Sequence, residues 1–512
     1  MMRSNVRVSR IALPIAAAAV LAFSQTVTYR EPFRPRFHFT PTVNWTNDPN
    51  GLVYHRGEWH LFYQFNPFGD VWGHMSWGHA VSADLYRWKH LPVALPEEGE
   101  VMAFSGSAVV DRRNTSDFGR DGEPAMVAIY TSRTPTDQTQ SLAYSTDMGR
   151  SWSRYSGNPV LDHEDPAFRD PKVFWHEATG KWVMIVALAE QRKAALYSSP
   201  DLKSWTHLSD FGPEGAHPVR NWECPDLFEL PVEGEPGQSR WVLQVDSGRG
   251  HPWLGSGCQY FIGEFDGRRF RNDNPPETAL WLDWGRDFYA AQSFSNVPAE
   301  DGRRLVIGWI SNWMYAREMP TSPWRGGQSV ARELALRRFP EGLRVVQRPA
   351  REIETLREAS ISLRDLSVRE ANDRIRREGF RGDSLELVAV LDVGSADDLG
   401  LRVLQSDAQE TVVGFTASPA EVYVDRSKSG NVDFHDTFAG RHSARLDAPD
   451  GRLQLHVLVD RSVVEVFAGK GRVAITDRVF PDPSSTGLSV FAKGGEARVV
   501  SLDAWQMRSA WE

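Results

Sequence analysis

A short pattern recurs along the first half of the chain: Ser82-Ala83-Asp84-Leu85-Tyr86-Arg87-Trp88, then Ser145-Thr146-Asp147 through Trp152, then Ser198-Ser199-Pro200-Asp201-Leu202-Lys203-Ser204-Trp205. A looser fourth copy runs from Glu264-Phe265-Asp266-Gly267 to Phe270, and the closing aromatics stand 64, 53 and 65 residues apart. In each copy a strand-forming run enters a Ser/Asp turn and leaves through an aromatic. Units of this length suit four-stranded propeller blades, and the roughly 300 residues from Phe37 to Leu336 accommodate about five of them. A two-sheet sandwich with long loops is the structural rival.

Helical periodicity is scarce elsewhere. Runs such as Trp59-His60-Leu61-Phe62-Tyr63-Gln64, Trp182-Val183-Met184-Ile185-Val186 and Leu305-Val306-Ile307-Gly308-Trp309-Ile310 are bounded by Gly, Pro, Asn and Asp, so the chain reads as all-β. Near Arg332 the character changes: Pro340, Pro349 and a charged stretch from Arg351 to Arg357 separate a Trp-rich part from a Val/Leu-rich one. Leu453 to Phe467 alternates around a polar turn, which predicts an antiparallel β-sandwich without a catalytic role. The expected organisation is a propeller over 33–336, a linker over 337–360 and a sandwich over 361–512. Before these, Arg3, Arg7 and Arg10, an apolar run from Ile11 to Phe23 and the small-residue pattern Ala22-Phe23-Ser24 have the layout of a secretory signal peptide over 1–24. The expected location is secreted or periplasmic, with no membrane association after signal removal.

The formal net charge of -9 argues against a phosphate backbone or an anionic membrane as partner and leaves a neutral substrate as the natural one. With 19 Trp and 2 Cys, the chain is held by conventional burial rather than by a disulfide framework, and Cys224 and Cys258 are expected as free buried thiols. No His-Glu-x-x-His, Cys-x-x-Cys, Gly-x-Ser-x-Gly or Walker-type loop occurs, so no metal or organic cofactor is expected. His74 and His79 are expected to hydrogen-bond in or near a polar pocket. Asn44-Trp45-Thr46 and Asn114-Thr115-Ser116 match the glycosylation pattern, the first too close to Asp48 to carry a glycan.

Three acids stand out by their surroundings. Asn47-Asp48-Pro49-Asn50-Gly51 is ordinary turn chemistry taken alone, yet Tyr63-Gln64-Phe65-Asn66, Trp72 and Trp77-Gly78-His79 crowd around it. Asp170 follows Arg169, a cation expected to keep that carboxylate ionised; a surface ion pair is the alternative. Glu223, between Trp222 and Cys224, is in a setting that favours a retained proton; strand alternation allows only one of Glu223 and Cys224 to face a given site, unless Pro225 bends the chain. In a propeller, equivalent strand ends converge on one end of the channel, so Asp48, Asp170 and Glu223 can meet there. Retaining glycoside hydrolysis uses a nucleophilic carboxylate and a protonated acid ~5–5.5 Å apart.

These motifs, in this order, resemble glycoside hydrolase family 32, the invertase, inulinase and levanase family. The likeness includes Trp77-Gly78-His79-Ala80-Val81-Ser82, Phe104-Ser105-Gly106-Ser107, Phe168-Arg169-Asp170-Pro171-Lys172, Trp222-Glu223-Cys224-Pro225-Asp226-Leu227-Phe228 and Val459-Asp460-Arg461-Ser462. The resemblance implies a five-bladed β-propeller followed by a C-terminal β-sandwich. It also implies a double displacement with Asp48 as nucleophile, Glu223 as acid/base and Asp170 as transition-state stabiliser. Asn47, Gln64, Trp72, Phe104, Ser105 and Arg169 match positions lining the terminal fructose pocket. Residues 283–292 and the segments Ser311-Asn312-Trp313 and Pro320 to Arg325 are most similar to bacterial levanases and exo-inulinases, which places Trp313 beside the sugar. The implied function is a retaining exo-β-fructosidase acting on levan, inulin and sucrose. An invertase or fructosyltransferase of the same family is an alternative, and a non-catalytic carbohydrate-binding propeller is the reading from another class. Thr46 departs from the family, where Met or Ile is usual before the Asn-Asp pair, and this bears on the shape of the pocket.

Overall fold

The structure is a computed structural model and describes residues 29–216 and 221–511; the expected signal peptide lies outside the described residues. Five antiparallel sheets form the propeller. Their inner strands are Asn44–His55, Met102–Val110, Phe168–His176, Trp222–Pro231 and Tyr289–Ser293, each leading outward through its blade. Neighbouring inner strands touch in chain order, and the fifth touches the first, which closes the ring. The first blade gains a fifth strand, Trp324–Arg325, parallel to Asn44-Trp45.

The recurring Ser/Asp pattern has one structural meaning, the turn from third to fourth strand. Asp84 accepts the backbone N–H groups of Tyr86 and Arg87 (3.1 and 2.8 Å), and Ser82 Oγ donates to it. Asp147 does the same for Arg150 and Ser151, Asp201 for Lys203 and Ser204, and Asp266 for Arg268 and Arg269. A carboxylate that satisfies two turn amides defines the turn locally, which is why the same pattern serves in four blades. The fifth blade lacks it because Arg332–Phe339 and Gly342–Pro349 join through a tight hairpin, Phe339 pairing with Gly342.

That hairpin corrects the expected linker over 337–360. Residues up to Pro349 complete the fifth blade, Arg351–Leu356 is a 3-10 helix with Ile353 and Leu356 buried, and Arg357–Ser367 is already a sandwich strand. Pro340 and Pro349 punctuate a turn and a strand end, positions that tolerate a missing N–H.

The C-terminal part is a sandwich of a six-stranded and a five-stranded sheet around Val, Leu and Ile side chains, with one helix, Val368–Glu378, held by a Ser367/Glu370 capping box. Strand Val463–Ala468 is buried at every position. Val464, Val466 and Ala468 fill the sandwich core, while Phe467 packs into a core shared with the propeller. Glu465, on the propeller side, bonds Arg332 of the fifth blade (2.5 Å) and His38 (2.9 Å) and accepts the N–H of Val330. Arg332 also bonds Asp283 (2.8 Å). Two residues past the 452–460 strand end, Ser462 donates to Phe33, and Asp460 itself accepts the N–H groups of Arg36, Phe37 and His38. Val459-Asp460-Arg461-Ser462 is therefore a staple between the two halves.

Burial raises the pKa of Glu465, but Arg332 and His38 outweigh it and hold the carboxyl down to about 2. Its contribution is present above the unfolded carboxyl value of about 4.3 and is lost as pH falls toward the folded value. Glu465→Ala leaves Arg332 and His38 short of a buried partner and is expected to cost about 3–5 kcal/mol. Urea unfolding at neutral pH checks this; an unchanged midpoint would show that the buried cluster does not hold the halves together.

Candidate active site

At the same end of all five inner strands, the register slips by one residue. The extra residue falls between Thr46 and Pro49, Ala103 and Gly106, Arg169 and Lys172, Glu223 and Asp226, and Tyr289 and Gln292. A bulge aims side chains away from strict alternation, and Asp170, Cys224 and Ala290 within these bulges have positive φ (65°, 47° and 52°). In four blades the inner strand is the channel-facing edge of its sheet, and in the first the added strand Trp324–Arg325 pairs only with Asn44-Trp45, so Pro49, Pro171 and Pro225 remove no second ladder.

The bulges converge on one pocket of about 210 Å³, lined by Asn47, Asp48, Gln64, Trp72, Phe104, Ser105, Arg169, Asp170, Glu223, Tyr289, Trp313 and Arg317. All ten residues singled out in the sequence are in this set. The volume lies below the roughly 300–1,000 Å³ of sites for larger ligands and suits one sugar ring.

Each carboxylate has its own support. Asp48 accepts from Ser105 Oγ (2.6 Å) and Asn47 Nδ2 (2.9 Å); Asn47 is fixed in turn by Trp45 Nε1 (2.7 Å). Burial pushes Asp48 above the usual aspartate range, the Ser105 and Asn47 hydrogen bonds pull it back, and Glu223 adds to the rise. Asp170 accepts the N–H of Cys224 (3.0 Å), and its own N–H donates to Thr131 Oγ1 (3.0 Å). Glu223 accepts from Arg169 (2.8 Å) on one oxygen and from the Tyr289 hydroxyl on the other.

Two expectations are corrected here. Arg169 does not keep Asp170 low: its guanidinium reaches Glu223 at 2.8 Å and stands 3.9 Å from Asp170. Burial raises Asp170 to about 7 against the pull of Arg169, with Glu223 and Asp48 adding to the rise. Glu223 and Cys224 both face the site, since the bulge breaks alternation and leaves Cys224 Sγ 3.7 Å from both Asp48 and Asp170. His74 and His79 both hydrogen-bond without lining the pocket, His74 exposed beside Glu97 (2.7 Å) and His79 buried against His60 (3.1 Å). Thr46 is buried and donates to the Gln64 carbonyl (3.0 Å), which anchors the strand that carries Gln64 into the pocket.

The model of the Glycosyl hydrolases family 32 N-terminal domain matches residues 38–349, and that of the family 32 C-terminal domain matches residues 352–506. The chain belongs to glycoside hydrolase family 32. It is 47% identical to a levanase of Bacillus subtilis (strain 168) over 99% of this chain and 75% of that protein. It is 38% identical to an extracellular exo-inulinase of Aspergillus niger over 98% of this chain and the whole of that protein. The crystal structure of exo-inulinase from Aspergillus awamori superposes with a TM-score of 0.88 at 36% identity, covering 94% of this chain and all of the other.

Sequence reasoning missed two members of this family 32 pocket, Tyr289 and Arg317. Tyr289 begins the fifth inner strand, a position that counting blades would have reached had the fifth carried the Ser/Asp turn. Arg317 comes from a loop, where no periodicity applies.

Cys224 and Cys258 are free and buried, and burial pushes both thiols well above the ordinary range. Native protein is therefore expected to leave both unmodified by a thiol-specific chromogenic reagent at pH 8, with two reacting after denaturation. Rapid labelling of the native chain would contradict this packing.

Proposed function

We propose that this family 32 chain is a secreted exo-acting β-fructosidase that removes terminal fructosyl units from levan, inulin and sucrose with retention of configuration. The observation that carries the reading is the meeting of Asp48, Asp170 and Glu223, from three different blades, in a pocket sized for a single ring. The relatives named as levanase and extracellular exo-inulinase support the substrate class and the export. No helix among the described residues is long and apolar enough to cross a membrane.

In this mechanism Asp48 attacks the anomeric carbon while Glu223 gives its proton to the departing oxygen, forming a covalent fructosyl ester on Asp48. Glu223, now ionised, takes a proton from water as the water attacks the same carbon and releases fructose with Asp48 restored. Ser105 and Asn47 hold the attacking carboxylate in one orientation, and Asp170 grips sugar hydroxyls and stabilises the cationic transition state. Trp72, Phe104 and Trp313 wall the ring, while Gln64 and Arg169 offer donors to its hydroxyls.

A time course of products from levan, inulin and sucrose tests the reading. Fructose as the sole early product is expected from both polymers, and mixed oligosaccharides would replace exo-hydrolysis by endo-cleavage or transfer. Asp48→Ala and Glu223→Ala should each lower kcat by several orders of magnitude with the fold intact; near-normal turnover in either would remove that residue from the mechanism.

The pH profile of kcat/KM should be bell-shaped. Its acid limb reports ionisation of the nucleophile as a macroscopic value shared with its neighbours. Because the Ser105 hydroxyl favours ionised Asp48, Ser105→Ala raises that pKa, so the acid limb moves to higher pH. A limb that stays put or moves down would detach Ser105 from the nucleophile.

A further inference from the structure

Two of the pocket residues, Trp313 and Arg317, come from the loop over 311–319, and a third, Tyr289, follows the segment 283–287. Both pieces converge on one side chain of the sandwich, Arg426, in the strand Glu421–Lys428. Its Nη1 donates to Asp287 Oδ2 (2.6 Å) and its Nη2 to the Tyr315 hydroxyl (3.0 Å), while that hydroxyl donates to Asp287 Oδ1 (2.9 Å). The three side chains close a hydrogen-bonded ring, and all three are buried. Arg426 is itself held from behind. Its Nε donates to the Phe438 carbonyl (2.8 Å), its Nη1 also to the Arg478 carbonyl (3.1 Å), and the guanidinium lies over the Phe438 ring (3.8 Å). Asp287 Oδ2 also accepts the Arg478 N–H (2.8 Å).

Such a ring supplies direction more than stability. A buried ion pair returns little net stability, because the cost of desolvating both charges offsets their attraction. A planar guanidinium nevertheless sets the distance and angle of each partner, which an apolar side chain of the same volume does not. Both partners stand two residues from pocket side chains. Asp287 precedes Tyr289, whose hydroxyl bonds Glu223, and Tyr315 lies midway between Trp313 and Arg317. Asn312 ties the two pieces together: its Nδ2 donates to the Arg286 carbonyl (2.8 Å), and its carbonyl accepts the N–H groups of Tyr315 and Ala316 (3.1 and 2.9 Å). Trp313 in turn stacks on Trp45 (ring centroids 6.0 Å apart), whose Nε1 holds Asn47 beside the nucleophile. In a site of this kind a misplacement of about 1 Å costs about 10²-fold in rate.

We propose that Arg426 is a positioning residue for the active site: from the sandwich, and without touching the sugar, it fixes through Asp287 the strand that presents Tyr289 and through Tyr315 the loop that presents Trp313. The proposal rests on the β-fructosidase reading for the reaction by which it is measured. It separates two roles of the sandwich. Glu465, with Arg332 and His38, joins the halves of the molecule. Arg426 joins the sandwich to the two pieces of chain that complete the pocket, so the aim of a sugar-contacting wall depends on a residue of the second half.

The test measures kcat and KM for sucrose in the whole chain and in Arg426→Lys, Tyr315→Phe, Trp313→Ala and the Trp313→Ala/Tyr315→Phe double variant. An ammonium keeps the charge but loses the fork that serves Asp287 and Tyr315 together, and Tyr315→Phe removes one hydroxyl while keeping the ring. Partial unfolding reduces the amount of active enzyme, which lowers apparent kcat and leaves KM where it was. The expected result is therefore a KM raised about tenfold by Arg426→Lys and about threefold by Tyr315→Phe. The rise from Tyr315→Phe should shrink once Trp313 is Ala, because the two residues act on one wall. An unchanged KM in both folded variants, or a Tyr315→Phe effect that persists in full on the Trp313→Ala background, would overturn the proposal. If Arg426→Lys does not fold, Tyr315→Phe decides it. A wild-type chain inactive on levan, inulin and sucrose would remove the β-fructosidase reading, and this proposal with it, before any variant is compared.

Discussion

At the level of the site each blade presents its first strand to the channel with a ladder on one side only, and the site depends on the freedom this gives. An edge strand has a ladder on one side only, so it can take an extra residue without disrupting a second partner. All five inner strands do so at the same level. The result is a ring of re-aimed side chains, including Asp48, Ser105, Asp170, Glu223 and Tyr289, each from a different blade. Left-handed backbone at Asp170, Cys224 and Ala290 costs roughly 1–2 kcal/mol per residue. It persists because the surrounding structure fixes it: Asp170 accepts the very N–H that the twist at Cys224 turns toward it.

The same geometry governs the electrostatics. Three carboxylates, Asp170 buried and Asp48 and Glu223 half-buried, gather beside Arg169, and that cation is committed to Glu223. Burial raises Asp48 above the usual aspartate range and brings Asp170 to about 7, so Asp170 carries only part of its charge near neutrality. Such a site is adapted to a neutral ligand rich in hydroxyls, in keeping with the modest acidity of the whole chain.

The sandwich contributes to this arrangement from a distance. Its 463–468 strand is apolar on one side for its own core and places Glu465 on the other, where Arg332, His38 and Val330 receive it. Residues 283–287, just before the fifth inner strand, pair by backbone with the neighbouring 473–478 strand through Trp284 and Asp287 N–H groups. Tyr289, which holds Glu223, thus follows directly from a segment anchored in the second half of the molecule.

What the sequence determined by itself is local. The Ser/Asp turns were legible because one carboxylate satisfies two nearby amides, and four such turns counted blades. The alternation from Leu453 to Phe467 announced a hairpin, and the three acid motifs, with their resemblance to family 32, named ten pocket residues. What only the tertiary structure decided is long-range. Whether Arg169 pairs with Asp170 or Glu223 depends on how two blades face each other. Whether Cys224 turns toward the site depends on a one-residue slip against the next strand. Whether Pro349 ends a linker or a blade depends on its pairing with Arg332. Arg317 carried no local signature, and Tyr289 lay in a segment whose resemblance did not mark it as a pocket residue. Each of these is set by contacts between residues far apart in the chain, where neither periodicity nor turn chemistry reaches.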